Sequence, residues 1–167
     1  MGGVNGVMEA QPSIEDAYRR HFAGLVRGLA VAYDDTEAAA DAVQDAFLVA
    51  ERRWGRVQGY DDPVAWVRHV AVNRLRNGER NRRRRRRILD AIRPVATDDL
   101  TAELLDLRAA VAALPEQMRL AVCLHYLAGC SVDEVAETLG VASGTVKSNL
   151  HDARRRLRLQ LEEPADG

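Results

Sequence analysis

Between Ser131 and Arg158 the chain reads SVDEVAETLGVASGTVKSNLHDARRRLR, a run that few folds can accommodate. Ser131 and Glu134 have the S-x-x-E spacing of a capping box, in which each side chain takes a backbone N–H that the first helical turn leaves without a partner. Val132, Val135, Ala136 and Leu139 then form one apolar stripe, and Gly140 supplies the left-handed residue that ends such a helix. Val141 fills a short turn, and Ser143 is placed to cap a second helix in which Val146, Leu150, Ala153 and Leu157 recur at steps of four, three and four. Two short helices joined this tightly make a helix-turn-helix. The second helix can lay its N-terminal residues on base edges in a major groove while basic side chains further along reach phosphates. With Val146 and Leu150 turned inward, Ser143, Thr145, Lys147, Ser148 and Asn149 face outward, followed by His151, Arg154 and Arg155.

The rest of the chain reads as helix too. Its 26 Ala, and 23 Arg against the single Lys147, favour helix over β-branched strand formers. Ser13 and Asp16 open a first helix whose Ile14, Tyr18, Phe22, Leu25 and Leu29 lie on one face, running to about Tyr33. Asp34, Asp35 and Thr36 offer the next cap, and Ala39, Val43, Ala46, Phe47, Ala50 and Trp54 continue the period. Residues 55–62 read as a loop, and Asp62 before Pro63 is a cap-then-proline start for a third helix burying Val67, Val70, Ala71 and Leu75.

Arg93 to Asp99 has a proline, no apolar period and a reversal of charge, as a linker would. Leu100, Leu104, Leu107, Val111 and Leu114 then resume a helical period, and Glu116 to Ala128 forms a short helix ending at Gly129. The expectation is an all-α protein of two small helical domains, residues 13–88 and 101–162, joined by a linker at 89–100. Residues 1–12 are expected to be a disordered N-terminus and 163–167 a tail. Each half is small for a self-sufficient core.

Charge is segregated along the chain. The whole carries 24 basic and 25 acidic groups for a net −1, yet residues 74–87 hold nine Arg against Glu79. Residues 143–158 hold Lys147, Arg154, Arg155, Arg156 and Arg158 against Asp152. Two basic islands therefore sit in an otherwise acidic chain, so near-neutrality overall is no argument against nucleic acid.

Other classes fit poorly. The longest apolar run, Ala109 to Leu114, is far short of the roughly 20 residues that span a bilayer, and the first eleven residues lack a basic, apolar leader. No membrane insertion is expected, and the cytoplasm is the expected location. Cys123 and Cys130 are read as small core side chains. His21, His69, His125 and His151 are scattered, and no nucleophile, metal cluster or glycine-rich phosphate loop stands out, so neither catalysis nor a cofactor or metal is expected.

Three segments together resemble the group IV, extracytoplasmic-function (ECF) sigma factors of bacterial RNA polymerase. Ala113 to Leu157 resembles region four, which binds the minus 35 promoter element. DAVQDAFLVAERRW, Asp41 to Trp54, resembles the region-two helix that docks on the β′ clamp helices of the polymerase. DDPVAWVRHVAVNRLRNGERNRRRRRR, Asp61 to Arg87, resembles the helix that recognises and melts the minus 10 element.

The resemblance implies a protein with no chemistry of its own, partnered by core polymerase through its β′ clamp helices and β flap, by promoter DNA and by an anti-sigma factor. It implies polymerase contacts from Asp41, Gln44, Asp45 and Leu48. The minus 10 strand falls to Tyr60, Trp66, Asn73, Arg74, Arg76, Asn77, Arg80, Arg83 and Arg84. The minus 35 element falls to the recognition-helix residues named above. A flipped base is expected in the loop Arg56 to Asp62 and at the start of the third helix, where unstacking must be offset by a pocket and by stacking. Asn77 stands where the family often has Asp, and Asn149 where it often has Arg, so the promoter sequence does not follow. A stand-alone helix-turn-helix regulator is the alternative, but it would not need the Asp41–Trp54 or Trp66 segments. A sigma-derived interaction protein that sequesters an anti-sigma factor is a third reading.

Overall fold

Helix α1 spans Ile14–Tyr33 and α2 spans Thr36–Arg52; both begin on side-chain caps, Ser13 and Asp35, that accept the N–H of Asp16 and Ala38. A single helical turn, α3 (Trp54–Val57), interrupts the expected loop and buries Val57. Helix α4 runs from Pro63 to Ile88 and is capped by Asp62, whose Oδ1 accepts Ala65 N at 2.9 Å. The computed structural model describes residues 13–88 and 101–162. The sequence readings of the N-terminus, the 89–100 linker, Arg93 to Asp99 and the 163–167 tail lie outside the described residues. Among the described residues every regular element is helical.

After Thr101, which caps it, α5 covers Ala102–Ala112, and α6 covers Glu116–Val122. A π-helical turn, Cys123–Leu127, continues α6, with Ala128 N bonded five residues back to Cys123 O at 3.1 Å. Gly129 follows at φ 75°. Helix α7, Val132–Leu139, carries the full capping box of Ser131 and Glu134 and ends on Gly140 at φ 67°. Helix α8, Ser143–Glu162, is the second element of the motif.

In the first half, α1 packs on α2 and α2 on α4. Leu25, Leu29, Val43, Phe47, Val67, Ala71 and Leu75 are buried there, while Val70 is only half-buried and Val72 takes the inner place instead. In the second half, α6 and α7 hold α8 through Leu120, Val135, Val146, Leu150 and Ala153. Leu104 and Leu107 of the apolar series are exposed, whereas Val111 and Leu114 are buried; Leu100 lies outside the described residues. Both cysteines are buried, which pushes the Cys123 thiol up to about 12.

The halves are not separate beads. Their buried apolar side chains form one contiguous cluster. Helix α1 lies against α5, α6 and the π-helical turn, and α4 lies against α7. The contact is close at Gly28, where an added Cβ would stand 2.9 Å from Cys123 O and 3.2 Å from the Ala128 methyl. A residue without Cβ is what allows the helix to approach backbone at this distance.

Candidate nucleic-acid interface

The recognition helix presents the face expected of it. Val146, Leu150 and Ala153 are buried against the body, leaving Thr145, Lys147, Ser148, His151, Arg154 and Arg155 exposed on α8. Ser143 and Asn149 are half-buried. Ser143 is the first helical residue, not the cap. The carbonyl of Ala142 accepts Thr145 N and Val146 N, and the Ser143 hydroxyl donates to Asp133 Oδ1 at 2.6 Å, pinning the two helices of the motif together. Asn149 Nδ2 reaches Gln117 Oε1 at 3.5 Å, and Arg154 Nη1 donates to Tyr126 Oη at 2.8 Å. Gln117 and Tyr126 escaped the sequence reading because they lie in α6 and its π-helical extension, outside the motif; the PEQ turn that opens α6 is the only local signal.

The second basic surface is α4, whose residues fall into two groups. Arg74, Asn77, Arg80 and Arg84 are exposed, as is Tyr60 in the preceding loop. Arg74 Nη1 lies 3.1 Å from Asp45 Oδ2, both largely solvated, a contact worth about 0–1 kcal/mol. Arg76 instead turns toward the second half and donates from Nε to Glu116 Oε1 at 2.8 Å. That bond, foremost, raises its pKa. Asn73 Nδ2 donates to His69 Nε2 at 2.9 Å. Trp66 is half-buried against the core. The helix includes Arg83, whose side chain lies outside the described residues.

One buried cation in α4 was not anticipated. Arg68 is 1% exposed; its Nη2 donates to Asp62 Oδ2 at 2.7 Å and its Nε to Thr138 Oγ1 at 2.9 Å. A buried charge requires partners of this kind, since one left unpaired costs several kcal/mol. Burial, and after it the Arg68 guanidinium, lowers the pKa of nearby His21.

A third surface lies on α2. Asp41, Gln44, Asp45 and Leu48 are all exposed, while Val43, Phe47 and Ala50 between them are buried. Beside them a groove of about 260 Å³ runs between α1 and α2, lined by Ile14, Tyr18, Gln44, Phe47, Leu48 and Glu51. Tyr18 falls in the apolar series of α1 yet is part of this surface, its ring stacked on Phe22 at 4.6 Å and edge-on to Phe47 at 5.2 Å. An exposed acidic face beside an exposed aromatic and Leu48 has the mixed character of a protein-binding surface.

Comparison with known proteins places the chain in one family. Residues 104–157 match the family described as Sigma-70, region 4. The chain is 36% identical over 153 residues to the ECF RNA polymerase sigma factor SigM of Mycobacterium tuberculosis, covering 87% of this chain and 75% of that protein. It is 33% identical over 176 residues to SigL, an ECF RNA polymerase sigma factor of the same species, covering 98% of this chain and 97% of the relative. The sigma factor RpoE in complex with the anti-sigma factor NepR from Bartonella quintana matches the structure at a TM-score of 0.70 and 25% identity, over 92% of this chain and 98% of that one. CnrH in complex with the cytosolic domain of CnrY has the same fold, at a TM-score of 0.65 and 24% identity over 95% of this chain and 92% of that one. A capped helix-turn-helix and an arginine-rich helix, on a chain this similar to SigM and SigL over most of their length, assign it: this protein belongs to the ECF RNA polymerase sigma factors.

Proposed function

We propose that the chain is a group IV sigma factor that binds core RNA polymerase and directs it to promoters. The observation that carries this reading is the coexistence of two exposed basic surfaces, on α4 and α8, with the exposed acidic face of α2. A stand-alone regulator requires only the surface on α8. In this reading residues 13–88 dock on the β′ clamp helices through Asp41, Gln44, Asp45 and Leu48 and hold the melted minus 10 strand. Tyr60 and Asn73 make strand contacts, Trp66 supports them from the core, and the exposed arginines neutralise phosphates without reading sequence. Residues 101–162 meet the β flap and read the minus 35 element through Ser143, Thr145, Lys147, Ser148, Asn149 and His151, with Arg154 and Arg155 on the backbone. The cytoplasm is the compartment this function implies, and the protein acts by binding alone, without catalysis or a cofactor.

Control by an anti-sigma factor belongs to the same reading. A relative of the same fold is held by such a partner. Between the halves an apolar cleft of about 530 Å³ is lined by Ala30, Val31, Leu104, Leu107, Val122 and Leu127, with exposed Leu104 and Leu107 available to a partner's apolar face. The deciding experiment adds the purified protein to core polymerase and a library of promoter fragments. Initiation from a subset sharing two spaced elements is expected; no initiation from any template, with the protein bound to DNA by itself as a dimer, would overturn the reading.

A further inference from the structure

Arg154 is held in place without being neutralised. Arg68, Arg74, Arg76, Arg82 and Arg108 each meet a carboxylate, which offsets their charge. Arg154 Nη1 donates instead to Tyr126 Oη at 2.8 Å, and among the described residues it meets no carboxylate. A phenol is neutral, so the guanidinium is oriented and keeps its full positive charge. By accepting from Arg154 the hydroxyl leaves its own O–H to donate, and no described residue takes it. Tyr126 is 52% exposed and Arg154 is exposed too, so both sets of donors open to solvent from one point. Their complement is an oxyanion with several acceptor atoms, one oxygen taking the phenol O–H and another the guanidinium N–H.

The tyrosine is supported from its own segment. It belongs to the π-helical turn Cys123–Leu127, a widened turn of the kind that recurs at functional sites. Its ring stands edge-on to the His125 ring at 4.9 Å, and His125 Nδ1 lies 2.7 Å from the Cys130 carbonyl, to which it donates, since a carbonyl only accepts. The pair also stands at one edge of the recognition helix. Val146, Leu150 and Ala153 fix the inward face of α8, and Lys147, seven residues before Arg154, and Arg158, four after it, share the arginine's edge and are exposed. A row of cations along an edge suits a regular run of single negative charges better than a lone anion, and a nucleic-acid backbone is such a run.

We propose that Tyr126 and Arg154 form one phosphate-binding pair on the duplex backbone at the minus 35 element: Tyr126, outside the helix-turn-helix, positions the arginine and supplies the second donor. The identity of that duplex rests on the sigma-factor reading. The test uses holoenzyme reconstituted with the full-length chain and a promoter duplex on which it initiates, with one phosphate at a time across the minus 35 element replaced by an uncharged methylphosphonate. For the wild type, one position should cost about tenfold in affinity. On the unmodified duplex, Tyr126→Phe, which keeps the ring and removes the hydroxyl, should bind about fivefold weaker and Arg154→Ala about tenfold weaker. At that one position neither variant should lose more than about twofold further, because the partners are coupled. Salt separates their roles: Arg154→Ala should lower the slope of log affinity against log salt by about one, whereas Tyr126→Phe, which changes no charge, should leave it. Circular dichroism checks that helix content is kept. Arg154→Lys, which keeps the charge and loses the fork, should behave as Tyr126→Phe does and carries the test if that variant does not fold. Wild-type affinity in Tyr126→Phe would overturn the pair, as would a methylphosphonate profile that is the same in the wild type and both variants, the result expected of a tyrosine that only braces α8. Failure of the wild-type holoenzyme to initiate on any template would remove the sigma-factor reading itself, whereas initiation with an unchanged profile removes the pair alone.

Discussion

Tyr33 Oη donates to Glu116 Oε1 at 3.0 Å, joining the last turn of α1 to the first turn of α6. The same oxygen accepts Arg76 Nε, so one carboxylate ties together three helices. Burial alone would raise the pKa of Glu116. The bonds from Arg76 and Tyr33, with the charges of Arg76 and Arg119, outweigh it and hold the carboxyl below its ordinary range. A folded pKa below the unfolded one means stability that is fully present above the unfolded value and is lost as pH falls through the folded value. Thermal unfolding from about pH 7 down to about pH 3 should find Glu116→Gln less stable than wild type at the upper end, the gap closing toward the lower end. A gap that stays constant would remove Glu116 from the linkage.

The motif whose rules are local was legible, and what depends on tertiary approach was not. Ser131, Glu134 and Gly140 act within three or four residues of themselves, and each does what its spacing implies. The inward places of Val43, Phe47 and Ala50, and with them the exposure of Asp41, Gln44, Asp45 and Leu48, follow from a helical period. Arg68 lies on the buried side of α4, three residues before Ala71 and seven before Leu75, but a charge there is legible only with its acceptor, which lies 70 residues away in sequence. Gly28 is an ordinary mid-helix glycine until the Cys123 carbonyl is placed beside it. Amphipathicity records one buried face per helix, whereas α1 has two, one toward α2 and one toward the second half.

The capping box should be measurable on its own. Ser131 Oγ accepts Glu134 N at 3.1 Å and Glu134 Oε2 accepts Ser131 N at 2.7 Å. Ser131→Ala should cost about 1 kcal/mol, or about 2–4 °C in Tm for a chain of this size. Gly140→Ala should cost about 1–2 kcal/mol because φ of 67° brings a Cβ too close to the following carbonyl. Differential scanning calorimetry reads both; a Gly140→Ala protein as stable as wild type would mean that the turn rearranges.

Replacing one residue of the proposed docking face should separate polymerase binding from folding. Asp45→Arg removes an exposed carboxylate and sets a second cation against Arg74, which lies 3.1 Å from the carboxylate it replaces. We expect core polymerase affinity to fall about tenfold or more, about 1.4 kcal/mol, with helix content unchanged. Leu48→Ala, which disturbs no charge, should weaken binding as well. Fluorescence titration against core enzyme measures both, and wild-type affinity in both variants would move the docking surface elsewhere.

Within the recognition helix, reading and holding should be separable. Asn149 Nδ2 reaches Gln117 Oε1 at 3.5 Å, the outer limit of a hydrogen bond, so its amide can be redirected to a base edge at little cost. An Asn amide pairs bidentately with adenine, where an arginine would favour guanine. Asn149→Ala should therefore relax preference at one base pair by about 1–3 kcal/mol, and Asn149→Arg should transfer it toward guanine. Arg155 is exposed further along α8, and the proposed function gives it a phosphate contact. Arg155→Ala should weaken all sequences alike and reduce the slope of log affinity against log salt by about one. Selection of minus 35 fragments by holoenzyme carrying each variant distinguishes the two behaviours. A sequence preference shifted by Arg155→Ala and untouched by Asn149→Ala would exchange their roles.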